Sequence, residues 1–145
     1  MKEEDIVRQL ASEIRILEGS LNTLQSRLDI VRAAISEVTL AFNTLEGMKN
    51  LTEGQETLIP VGAGSYIRTK IADSKKLVMG IGAGVAIEKD VESSVGELKS
   101  RLEEMDRAKT SIQQQLEQTA SRYQQDREAL EDLLRRQGPT SRAAS

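Results

Sequence analysis

"LIPVGAGSYIRTKIADSKKLVMGIGAGVAIEKD", Leu58 to Asp90, sets two glycine-rich breaks among β-branched and apolar residues. An apolar run that meets Gly80, Gly82 and Gly84 is how the strand and phosphate-binding turn of a dinucleotide fold begin. That fold needs a helix opening directly on the glycines, inside a βαβ unit of about 30 residues. Here only Val85, Ala86, Ile87 and Glu88 follow Gly84 before another charged break, and no Gly-Lys-Ser or Gly-Lys-Thr occurs. The same Gly-Ala-Gly stands at Gly62 to Gly64 and at Gly82 to Gly84. One turn geometry used twice explains the repetition, because glycine reaches positive φ at little cost. The stretch therefore reads as four short strands in two hairpins over residues 57–89. Pro60 cannot donate a ladder hydrogen bond, which places it at an edge or a bulge. Between Ser65 and Ala72, Ile67, Thr69 and Ile71 face one way.

The flanks have another period. Val7, Leu10, Ile14, Leu17, Leu21, Leu24, Leu28, Val31, Ile35, Val38, Phe42 and Leu45 are spaced three, four, three, four without a slip. That is the heptad seam of a left-handed coiled coil. It predicts a helix over residues 3–50, about 70 Å long at about 1.5 Å per residue. A second seam runs from Val91 through Val95, Leu98, Leu102, Met105, Ile112, Leu116, Tyr123 and Leu130 to Leu133, with polar members at Lys109, Thr119 and Asp126. It predicts a second helix over residues 90–137, with Asp90 as N-cap. Gly138-Pro139 marks its stop, and residues 138–145 are expected to form a disordered tail.

Composition narrows the function classes. Among 145 residues there is no histidine and no cysteine. That removes the commonest general base, thiolate zinc sites and disulfides. No metal or other cofactor is expected, and carboxylate pairs such as Glu103 and Glu104 sit on coil surfaces without a pocket. Lys plus Arg (20) nearly balance Asp plus Glu (23), and aromatics are only 2%, so neither charge nor stacking favours nucleic acid. The basic residues Arg68, Lys70, Lys75 and Lys76 read as a solvated strand face and turn. No run approaches about 20 apolar residues, so no membrane span is expected and the chain reads as cytoplasmic.

Two hairpins between two helices enclose almost no interior, and isolated hairpins are marginal in water. Ile59, Val61, Ile67, Ile71, Leu77, Met79, Ile81, Val85 and Ile87 are therefore expected to be buried against other subunits. Folding the chain back at the strands brings seam positions together when their numbers sum to about 140, so Leu24 meets Leu116 and Leu10 meets Leu130. A slip by one heptad is the alternative. In this register the polar seam residues fall toward the far end of the coil. Apolar character returns there at Ile6, Val7 and Leu10 on the first helix and at Leu130, Leu133 and Leu134 on the second. Ile6 and Leu134 lie off the seam, so the coil need not cover them.

Helix, two hairpins, helix, with "IPVGAGSYI" and "VMGIGAGVAIEK" between the coils, resembles the α-class subunit of the prefoldin family across residues 4–137. The β-class subunits of that family carry one hairpin. The resemblance implies an α+β fold: a long antiparallel two-helix coiled coil whose strands join those of other subunits in an intersubunit β-barrel. It implies an ATP-independent chaperone of two α-class and four β-class subunits, without catalytic residue, nucleotide or metal. Coil tips, here Ile6, Val7, Leu10, Leu130, Leu133 and Leu134, would hold unfolded client proteins for a group II chaperonin. The simple chain, without long extensions, looks more archaeal than eukaryotic. A structural coiled-coil adaptor without chaperone activity is the competing reading; it predicts the same heptads but gives no reason for two glycine-turn hairpins.

Overall fold

A computed structural model describes the backbone of residues 2–143 and the side chains of residues 2–138. Helix α1 spans Glu3–Met48 and helix α2 spans Val91–Ala143. Between them lie β1 (Glu56–Gly62), β2 (Ser65–Lys70), β3 (Lys76–Gly82) and β4 (Val85–Asp90). The strands form two separate antiparallel pairs, β1 with β2 and β3 with β4. The chain divides into two compact units: Met1–Ala33 with Arg107–Ser145, and Ala34–Asp106.

The heptads account for the helices. Every seam residue named above is less exposed than its neighbours on the outer faces. In the first unit Leu24 and Leu28 are buried; in the second, Val91, Val95 and Leu98 are. Three acidic residues, Glu3, Glu4 and Asp5, occupy the first turn of α1, where the helix dipole favours them. The register is fixed by two hydrogen bonds within the first unit. Tyr123 donates its hydroxyl to Glu18 Oε1 at 3.0 Å, and Gln137 Nε2 donates to Glu3 Oε2 at 3.3 Å. These pairs sum to 141 and 140, as the sequence predicts, whereas a one-heptad slip would shift both sums by about seven. Cysteines replacing Leu24 and Leu116 should therefore link to each other in preference to a 24–109 or 24–123 pair, read by mass spectrometry after oxidation.

The end of α2 departs from expectation. The helix passes Gly138 and Pro139 and runs to Ala143 instead of stopping. Proline has a helical φ, so inside a helix it costs a backbone hydrogen bond without forbidding the conformation. Gly138 also lacks the Cβ that disfavours helix before a proline. The expected disordered tail is thus helical through residue 143; residues 144 and 145 lie outside the described residues.

The two hairpins repeat each other twenty residues apart. Gly62 pairs with Ser65 and Gly82 with Val85, each after a register shift that leaves Val61 or Ile81 as the extra residue. Successive φ values are 103°, 50° and 72° at Gly62, Ala63 and Gly64, and 111°, 51° and 75° at Gly82, Ala83 and Gly84. Positive φ at both central residues marks a type I′ turn, whose twist suits a two-residue hairpin. The glycine segments are turns, and neither opens a helix. Pro60 sits beside the bulge, where its missing N–H is tolerated. The left-handed region costs an L-residue about 1–2 kcal/mol, and asparagine is a preferred first central residue of a type I′ turn. Exchanging Ala63 and Ala83 for asparagine should stabilise each hairpin by about 1 kcal/mol, measured as slower amide exchange across the strands.

Candidate binding surfaces on the strands and at the helix ends

The strand pairs carry exposed apolar side chains. Ile59 and Ile67 face each other across β1 and β2, and Met79 and Ile87 occupy the equivalent pair across β3 and β4. Ile59, Val61, Ile67, Ile81, Val85 and Ile87 are all exposed, at 39–58%. Leu58 (59%), Tyr66 (61%) and Val78 (74%) are exposed as well. A soluble monomer rarely shows so contiguous an apolar patch unless something binds it.

Ile71, Leu77 and Met79 behave differently. They are half-buried by their own chain. Ile71 follows β2, and its backbone bonds to Gln55 O at 3.0 Å and to Gly54 N at 2.7 Å. Leu77 and Met79 alternate with exposed Val78 along β3. They line a groove of about 970 Å³ shared with Val38, Ala41 and Leu45 of α1 and Leu98 of α2. Beside it Lys89 Nζ pairs with Glu97 Oε2 at 2.8 Å, tying β4 to α2. One face of β3 thus turns toward the helices of the second unit, and Ile71 is held by its bonds to the loop before β1. Alternation reveals which residues share a face but not which body covers it. Leu58 and Tyr66 lie on the opposite face of β1 and β2 from the Ile59–Ile67 pair; alternation places Tyr66 there with Arg68 and Lys70, a face that reads from sequence as solvated.

In the first unit, at the helix ends, Ile6, Val7, Leu10, Leu130 and Leu133 are half-buried, and of these six end residues only Leu134 is exposed, at 49%. Ile6 departs from expectation: although off the strict seam, it is partly covered. Two polar ties lie on either side of these residues, Tyr123 to Glu18 and Gln137 to Glu3. Arg127 stacks over the Tyr123 ring, 5.8 Å from its centroid. Three residues after Tyr123, Asp126 occupies a seam position with Oδ2 buried and without a hydrogen-bond partner. Burying a polar atom in that way disfavours the closed coil. Among the described residues no group of histidine, cysteine, aspartate or glutamate could hold a metal ion. Among the described residues no helix is long and apolar enough to cross a membrane.

Against family models, residues 17–136 match the one described as Prefoldin subunit. The chain belongs to the prefoldin family. Among its prefoldin relatives is a prefoldin subunit alpha of Methanopyrus kandleri, 31% identical over 76% of this chain and 70% of the relative. Another, from Nitrosopumilus maritimus, is 31% identical over 90% of both chains. A third, from Pyrococcus horikoshii, is 29% identical over 93% of this chain and 92% of its own. Among solved prefoldin structures, a chain of the filamentous PFD from Methanocaldococcus jannaschii superposes with a TM-score of 0.64 at 18% identity. That match covers 79% of this chain and 95% of the other, and what it shares is the architecture. Prefoldin is a family of chaperone subunits rather than of enzymes, and the two-helix, two-hairpin chain described here has its coiled-coil form.

Proposed function

We propose that this prefoldin chain is an α-class subunit of a hetero-oligomeric chaperone, two such chains joining four one-hairpin, β-class subunits through their strands into a double β-barrel. The exposed apolar faces of the two hairpins carry this reading: six of the nine strand residues expected at a subunit interface stay exposed in the single chain. The coil ends then hold non-native proteins in the cytoplasm and pass them to a group II chaperonin without ATP. Asp126 supports that part, because a seam weakened there can part and uncover Ile6, Val7, Leu10, Leu130, Leu133 and Leu134. The decisive experiment is co-expression with a one-hairpin partner and mass measurement of the complex. It is paired with light scattering of a denatured client, for the full complex and for one lacking residues 1–10 and 130–145. The truncated complex should keep its mass and protect the client less. A truncated complex that protected fully would move client binding away from the ends of this subunit.

The half-buried state of five of the six end residues favours a second reading. A coil that stays closed is an adaptor that links its partners structurally. In that case the full complex assembles but leaves client aggregation unchanged.

A further inference from the structure

The back of α1 in the first unit is unlike the back of α2. Ser12, Ile16, Gly19, Thr23, Ser26 and Ile30 each lie two residues beyond a seam residue, about 200° around the helix at about 100° per residue. They repeat the seam's three-four spacing, and none is charged. Ile16 and Ile30 are 65% and 69% exposed. The equivalent positions of α2 include Gln114, Gln118, Gln125 and Glu128. Ile16, Gly19, Ser20 and Thr23 stand at i, i+3, i+4 and i+7, the four corners of a hole that receives a knob from another helix. They line one side of an open depression of about 640 Å³, whose other side is Gln115, Gln118 and Thr119 of α2. A Cβ added at Gly19 would meet nothing within 4 Å, so the floor of that hole is empty.

We infer that this stripe binds a second copy of the chain, its α1 running antiparallel, about a two-fold axis beside residue 21. In that arrangement facing stripe positions sum to 42. Ile16 covers Ser26, Ile30 covers Ser12, and Thr23 enters the hole above Gly19, each contact occurring twice as a two-fold interface requires. Large residues meet small ones throughout. The flanks choose the same partner. Arg15 and Asp29 border the stripe on one side, Glu13 and Arg27 on the other. Antiparallel pairing sets Arg15 of each copy beside Asp29 of the other, and Glu13 beside Arg27, so four opposite-charge contacts form. A parallel pair in register sets Arg15 beside Ser20 and Asn22 beside Arg27, and these contacts are lost. Arg15, Arg27 and Glu13 take part in no ion pair among the described residues, so they are available.

The absence of cysteine makes the test direct. Asn22 lies on the Arg15 flank next to the axis, so Asn22→Cys should couple to its own copy under mild oxidation. Ser36→Cys, on the same flank but far from the axis, should couple about tenfold more slowly or not at all. In the Asn22→Cys background, Arg15→Asp or Asp29→Arg alone should slow coupling about tenfold, and the two together should restore it. Pairing through the strands would speed both cysteines alike and would not respond to the charge exchange. Equal rates for the two cysteines, or a double exchange that fails to rescue, would overturn the inference.

Discussion

Lysine in place of both Ile67 and Ile87 is expected to abolish assembly while leaving the helices intact. These residues hold equivalent places on β2 and β4, twenty residues apart, and are 52% and 39% exposed. In one chain alone the substitutions put a charge where water already reaches, so circular dichroism should retain full helix content. In a subunit interface each ammonium would be buried without a partner, at a cost of several kcal/mol. Two such losses exceed about 4 kcal/mol, roughly a thousandfold in association. The measurement is the mass of the co-expressed complex at micromolar concentration. Complexes of normal mass and affinity would mean that these strand faces do not meet other subunits.

The second large effect concerns Asp126. Leucine there should add an apolar layer to the coil and remove a buried oxygen that has no partner. Removing an unsatisfied buried group is worth about 1–3 kcal/mol. The far end of the coil should then melt later and exchange its amides more slowly around Ile14 and Leu130, with the second unit unchanged. If client binding depends on parting of the helices beyond this point, the same substitution lowers protection of a denatured client without altering the mass of the complex. A variant that is more stable and equally protective would show that the ends work closed. Asp126→Asn is the informative companion, since it keeps the size and polarity of the side chain and removes only the charge.

Much of this was legible because coiled coils write their geometry into sequence. The unbroken three-four spacing from Val7 to Leu45 identified every half-buried position of that seam, and the positions of the hairpins implied the sum of about 140 later seen in the Tyr123–Glu18 and Gln137–Glu3 bonds. The Gly-Ala-Gly turns were legible from glycine chemistry. That alanine itself takes φ near 50° in both was not, since nothing in the sequence distinguishes an alanine forced into the left-handed region by its neighbours. Three features were not legible, for physical reasons. Pro139 reads as a stop, although proline's φ is compatible with a helix and the loss is local. The partial cover of Ile71, Leu77 and Met79 by their own chain does not show in the sequence, because a period of two gives faces and not their covers. The partial cover of Ile6 does not show either, because the strict seam is narrower than the surface a leaning side chain reaches.

The twenty-residue offset between the hairpins extends to the bonds that close them. Ile71 N donates to Gln55 O at 3.0 Å, and Val91 N donates to Lys75 O at 2.8 Å, the same contact one repeat later. A segment from 56 to 75 could therefore be excised as a unit. Gln55 would then stand where Lys75 stands, with its carbonyl placed to receive the amide of Val91, and α2 would start from the remaining hairpin as before. The number of strands a chain of this design brings to its assembly is in that sense a modular quantity, altered in steps of one hairpin without redesign of either helix.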